Sequence, residues 1–119
     1  MLINLTNHPS TQWSAEQQEA AKAFGVIVDL PFPNVDPDGD ESYISDLADD
    51  YLSRILALAD GKPVTVHLMG EMNFTAALLQ RLHQQRISCV AATTQRIVKE
   101  LPDGTKNATF QFVQFRKYE

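Results

Sequence analysis

The sequence predicts a single α/β domain: a parallel sheet of order 2-1-3-4, helices on both faces, and a C-terminal antiparallel hairpin. Three observations predict it. Short apolar runs of strand length alternate with amphipathic stretches, the pattern of parallel strands joined by crossover helices. Each run is stopped by glycine, proline or a polar cluster. After the fourth run the alternation gives way to two β-rich segments around Asp103-Gly104, a hairpin dipeptide.

Met1–Leu5 reads as a buried strand. Asn7-His8-Pro9-Ser10 ends it, because proline removes a backbone donor and pushes His8 away from helical geometry. Ser14-Ala15-Glu16-Gln17 fits a capping box, opening a helix with Ala20, Ala21 and Phe24 on one face and Gly25 at its end. Val26–Leu30 is the second strand, stopped by Pro31-Phe32-Pro33, and Asn34–Asp40 is an acidic loop. From Glu41, apolar residues recur at Ile44, Leu47, Ala48, Tyr51, Leu52, Ile55 and Leu58, the stripe of a long helix that Asp60-Gly61 terminates. Pro63–Met69 is the third strand and Gly70–Asn73 a turn. A third helix, from about Asn73 to Gln84, turns Phe74, Ala77, Leu78 and Leu82 inward. Ile87–Ala92 is the fourth strand and Thr93–Arg96 the loop after it. Ile97–Leu101 and Thr109–Phe115 form the hairpin, whose last strand lies beside strand 4.

The bulk properties limit what such a domain does. A chain of 119 residues fits one domain, and 44% hydrophobic with 21% charged residues is ordinary globular usage. The net charge of -5 argues against a broad grip on duplex nucleic acid, although backbone amides and a few local cations can still hold a small anion. Cys89 is the lone cysteine, so no intrachain disulfide and no cysteine-based zinc site can form. No segment approaches the roughly 18 consecutive apolar residues of a membrane span, and the N-terminus has no signal-peptide pattern. A cytoplasmic protein with no membrane contact is expected.

In the order 2-1-3-4 the winding reverses between strands 1 and 3, and ligands bind at such a switch point, outside the carboxyl ends of the strands. Three loops should converge there: Thr6–Ser10, Gly70–Asn73 and Thr93–Arg96. In the first, His8 suits a general base or a phosphate donor, or is simply a turn residue before proline. In the second, Gly70 admits close approach to the backbone, and the amides of the helix N-terminus can hold a phosphate. The alternative is a tight turn capped by Asn73. Glu71 either bonds a ribose hydroxyl or is solvated. The third loop offers the hydroxyls of Thr93 and Thr94 and the guanidinium of Arg96, a group suited to bidentate phosphate contact, unless the segment merely continues the strand. Trp13 and Phe32 can stack on a ligand, though a helix staple and a core contact are their simpler uses. His67 in a strand and His83 on a helix read as structural, and the three histidines lack metal-ligand spacing. No Ser-His-Asp or Cys-His nucleophile pattern, metal site or cofactor motif is present, and one glycine falls short of a dinucleotide or P-loop signature.

Several segments also carry a family resemblance: Leu5-Thr6-Asn7-His8-Pro9-Ser10, Val66-His67-Leu68-Met69-Gly70-Glu71, Cys89-Val90-Ala91-Ala92-Thr93-Thr94-Gln95-Arg96, and the ending Phe112-Val113-Gln114-Phe115-Arg116-Lys117-Tyr118. Together they resemble small CRISPR-associated Rossmann-like (CARF-related) proteins of the compact ring-nuclease type, along nearly the whole chain. The resemblance implies a Rossmann-like homodimer that binds a cyclic oligoadenylate messenger across its two-fold axis and cleaves it without metal. The substrate's own ribose 2′-OH would attack, so the protein aligns it and steadies the developing charge. Carried over by position, Asn7, His8 and Ser10 form the first ligand loop, and Gly70, Glu71 and Asn73 the second. Thr94 and Arg96 hold phosphate, with His8 and Arg96 as the catalytic pair. Against this stands the shortage of cations, only Arg96, Arg116 and Lys117 in the matched segments. Two other readings stay open for the same crevice: an enzyme on another small nucleotide or phosphometabolite, and a non-catalytic structural or regulatory subunit.

Overall fold

A computed structural model describes residues 1–119. Its strands are β1 (Leu2–Leu5), β2 (Ile27–Asp29), β3 (Thr65–Leu68), β4 (Ser88–Glu100) and β5 (Lys106–Lys117). Its helices are α1 (Ala15–Ala21), α2 (Glu41–Ala59) and α3 (Met72–Gln84). The strands form one mixed sheet of order β2-β1-β3-β4-β5, in which the first three pairings are parallel and β4–β5 is antiparallel.

Both faces of β1 are buried, and strand alternation divides its side chains between two cores. Ile3 and Leu5, with Val66 and Leu68 of β3, meet Ala48, Tyr51 and Ile55 of α2 and Phe74, Leu78 and Leu82 of α3. Leu2 points the other way, to Trp13, Ala21 and Val90, with Phe24 and Phe115 packed around them. Helices therefore cover the sheet on both sides. Phe74, Leu78 and Leu82 are fully buried, and each contributes about 1.5–3 kcal/mol of transfer energy. Ser14 caps α1 as expected, accepting from the Gln17 amide at 3.2 Å, and Asp40 caps α2, accepting from the Tyr43 amide at 2.9 Å. Asp60 turns left-handed at φ 49 to end α2. No helix is long and apolar enough to cross a membrane.

Two expectations need correction. Thr93–Arg96 is not a loop: the fourth strand and the first arm of the hairpin are one strand, Ser88–Glu100. Thr93 and Thr94 are β-branched, so an extended backbone suits them. The ladder runs unbroken from Val90↔Lys117 to Glu100↔Lys106, apart from a register shift between Thr93 and Thr94. That irregularity bends the strand without ending it. Asn73 does not cap α3 either. The helix starts one residue earlier, at Met72, and the Glu71 carboxylate accepts from the amides of Asn73 and Phe74.

Asp103-Gly104 makes the expected hairpin turn, with Gly104 at φ 84. β3 pairs with β4 only through Ser88, Cys89 and Val90. Past that point the β4–β5 ribbon projects without a third strand. The Cα radius of gyration, 16.3 Å, exceeds the roughly 13.5 Å of a compact chain this long, as such a projection requires.

Candidate functional site

β1 lies between β2 and β3, so the crossovers leave it in opposite directions and open a crevice at the carboxyl ends of β1 and β3. A cavity of about 1010 Å³ occupies that place. Thr6, Asn7 and His8 follow β1 into it, and Met69 and Gly70 follow β3. Gln12 and Trp13 come from the turn before α1 and Gln17 from its first turn, and Thr94, Phe110, Gln111 and Phe112 from the ribbon. No lysine or arginine lines the cavity, and Glu16 is its one carboxylate.

A polar layer inside the sheet shapes the first loop. Asn4 of β1 pairs in register with Asp29 of β2 and His67 of β3, so three polar side chains stand at one level across three adjacent strands. Asn4 is saturated. Its Nδ2 donates to His8 O and to Asp29 Oδ1, both at 2.8 Å. Its Oδ1 accepts from Thr6 Oγ1 at 2.9 Å and faces His67 Nδ1 at 3.1 Å. The Ala92 amide donates to His67 Nε2 at 3.2 Å. Nε2 is therefore the acceptor nitrogen, and Nδ1–H is the donor to Asn4. Burial pushes the His67 pKa down to about 4, so the ring is neutral at physiological pH.

Asp29 anchors the far end of the loop, taking Ser10 N at 3.1 Å and Ser10 Oγ at 2.8 Å. Burial opposes ionisation of Asp29, but the hydrogen bonds from Asn4 and Ser10 outweigh it and hold the carboxyl below its usual range. Thr6–Ser10 thus has its shape fixed from beneath by Asn4 and Asp29, neither of which lines the cavity. The His8 backbone is tied down, its carbonyl by Asn4 and its amide by Thr6 Oγ1. Its ring is exposed at the cavity, where it can take or give a proton.

The structure sorts the sequence candidates. Asn7, His8, Gly70 and Thr94 line the cavity. Ser10 does not; its hydroxyl is spent on Asp29. Thr93 does not; its hydroxyl donates to the Gln114 carbonyl at 3.3 Å. Arg96 is exposed on the ribbon opposite Phe110, beyond the cavity lining. Glu71 and Asn73 border a separate cavity of about 580 Å³ at the N-terminal ends of α2 and α3, with Asp36, Asp40 and Glu41. The α3 amides expected to hold a phosphate are partly taken by Glu71 itself.

Gly70 answers chiefly to Phe32: a Cβ there would come within 2.1 Å of Phe32 Cζ. Phe32 in turn meets Phe74 edge-on at 5.2 Å, a core contact. Trp13 packs against His67 at 5.6 Å and Phe115 at 5.9 Å while one side of it borders the cavity. Cys89 is buried, its thiol pushed up to about 12 by desolvation, so it is not a nucleophile. Sequence reasoning missed Asn4, Asp29 and His67 as the builders of the site, and Gln12, Gln17, Phe110 and Phe112 as its walls. The available signal was one polar residue at a matching position in each of three apolar strands.

Residues 1–116 match the profile of the uncharacterized protein MJ1673 family, and the chain belongs to that family. No curated protein matches it.

Proposed function

We propose that this member of the MJ1673 family is a Rossmann-like, cytoplasmic, CRISPR-associated homodimer that binds cyclic oligoadenylate in the switch-point cavity and cleaves it. The carrying observation is the lining of that cavity. It gathers amides (Asn7, Gln12, Gln17, Gln111) and aromatic rings (Trp13, Phe110, Phe112) where the fold type holds its ligands. Side-chain amides match the adjacent donor and acceptor on an adenine edge, and aromatic rings stack on its face. The volume of about 1010 Å³ is at the upper end of the range for small-molecule sites. Bases then point inward, and phosphates lie towards the mouth, near the exposed His8 ring.

The chemistry follows from that placement. The ribose 2′-OH attacks the adjacent phosphorus while His8 accepts its proton. The P–O5′ bond breaks, leaving a 2′,3′-cyclic phosphate and a 5′-hydroxyl that takes up a proton. The pinned backbone of residues 6–10 holds His8 in place through this step.

Calorimetric titration with cyclic tetra- and hexa-adenylate, followed by chromatography of the products, tests the reading. Saturable binding and a linear product that His8→Ala fails to make are expected. No heat and no product with either ring would overturn it. The absence of lysine and arginine from the lining favours a second reading, a neutral nucleoside ligand. Adenosine binding as tightly as the cyclic messenger would select it.

A further inference from the structure

We propose that Tyr118 is a positioning residue for the cavity: its hydroxyl caps the Leu68 carbonyl and, with the His67 ring on the opposite face of the sheet, holds β4 apart from β3 where a ligand enters. The separation of the strands stands on its own observations; only its use in binding cyclic oligoadenylate rests on the proposed function.

The β3–β4 ladder stops one rung short. The amides of Thr65 and Met69 turn to β1, donating to Met1 O at 2.9 Å and Leu5 O at 3.3 Å. Backbone groups alternate in direction along a strand, so those of Leu68 turn to β4. The register ends at His67↔Val90, and the next bond of a parallel ladder would run from the Ala92 amide to the Leu68 carbonyl. That bond is not made. The Ala92 amide donates to His67 Nε2 at 3.2 Å, and the Leu68 carbonyl accepts from the Tyr118 hydroxyl at 2.6 Å. Two side chains replace one backbone hydrogen bond, and neither backbone group is orphaned.

The two side chains enter from opposite faces. Val66 and Leu68 point into the core under α2 and α3, so His67 between them points the other way, against Trp13 and Phe115. Tyr118 packs on the α2–α3 side. Its amide donates to the Cys89 carbonyl at 3.0 Å, so its backbone is fastened to β4 while its hydroxyl holds β3. Desolvation pushes the phenol above its ordinary range, which keeps the hydroxyl a donor.

The missing rung lies at the cavity. His67, Met69 and Gly70 on one side, and Ala92 and Thr94 on the other, all line it. Paired strands lie only about 4.8 Å apart, a spacing that leaves no room for a nucleobase between the end of β3 and the ribbon. Removing the wedge lets the rung form and draws Thr94 towards Gly70. The loop carrying His8 is held separately, by Asn4 and Asp29. Tyr118 therefore governs the width of the cavity and leaves the proton acceptor in place.

Tyr118→Phe keeps the packed ring and removes only the hydroxyl, so the fold is retained. In the wild-type chain, nuclear magnetic resonance should detect scalar coupling across the hydrogen bond between the Ala92 amide nitrogen and His67 Nε2. In the variant that coupling should vanish as the amide turns to Leu68. With cyclic tetra- or hexa-adenylate, KM should rise about tenfold while kcat stays within about twofold, the pattern of lost binding rather than lost chemistry. Tyr43→Phe removes a hydroxyl that accepts from the Asp36 amide outside the cavity lining, and should change neither constant. Coupling absent from the wild type, or persisting in Tyr118→Phe, would overturn the wedge. Coupling lost with KM unchanged, or a defect confined to kcat, would overturn its role in binding. If neither ring binds the wild-type chain, the proposed function falls, and loss of the coupling in Tyr118→Phe still establishes the wedge.

Discussion

Replacing Asn4 by alanine should cost the protein about 3 kcal/mol, because the side chain is the hub of a buried layer. The substitution removes four hydrogen bonds. Thr6 Oγ1 recovers at once, since it already lies 3.2 Å from the His8 carbonyl. His67 does not: its ring is 2% exposed, and an unpartnered buried N–H costs roughly 1–3 kcal/mol. Asp29 loses a donor to its charge, but it is solvent-exposed, so about 1 kcal/mol is the appropriate share. At an unfolding entropy near 0.25 kcal/mol/K for a chain of this length, the melting temperature should fall by about 12 °C. Urea unfolding followed by Trp13 fluorescence measures it, since Trp13 packs on His67 and reports the layer itself. Ligand affinity should fall with stability as the loop carrying Asn7 and His8 loosens. A loss below about 1 kcal/mol would refute the claim that this layer supports the site.

Five further outcomes follow from the same geometry. His67 has its pKa lowered from 6.5 to about 4, so its contribution is complete above pH 6.5 and is lost as pH falls towards 4. The loss amounts to roughly 3 kcal/mol, and stability curves of wild type and His67→Gln should converge across that window. Asp29, depressed as well, adds stability above its unfolded pKa that disappears in more acidic solution. Gly70→Ala should cost about 1–3 kcal/mol in thermal melts, because the new Cβ must displace the Phe32 ring from Phe74. Glu71→Ala should cost about 1 kcal/mol as α3 loses its cap. His8→Ala should leave the melt within about 0.5 kcal/mol of wild type, since its ring is exposed, yet abolish turnover of cyclic oligoadenylate by product chromatography.

The sheet, its strand order and the crevice were legible because strand-length apolar runs, helical periodicity and breakers all agree along this chain. The strand status of Thr93–Arg96 was not. Polar residues at the end of an apolar run read as a loop when the strand is assumed to be buried. In a projecting ribbon no core imposes alternation, so Thr-Thr-Gln-Arg extends as readily as Val-Ala-Ala. The cap of α3 went to Asn73 on residue preference, and geometry gave it to Glu71, whose longer side chain reaches back over two amides. Strand order alone put Asn7, His8 and Gly70 at the crevice, whereas Ser10, Glu71 and Asn73 fall outside the lining of that cavity. Thr93 and Arg96 were misplaced because their position depended on where β4 ends. Asn4 and Asp29 escaped notice and His67 was read as structural without its partners, since a single polar residue in an apolar strand carries meaning only once the register puts three of them side by side.

The interior position of β1 also bears on how the chain is made. Leu2–Leu5 is translated before the other four strands but is paired on both edges, and its second neighbour, Thr65–Leu68, follows about 60 residues later. At 5–20 residues per second the ribosome takes about 3–12 s to supply that neighbour. Through that interval the most buried strand of the finished protein, with one open edge, is a target for chaperones on the nascent chain.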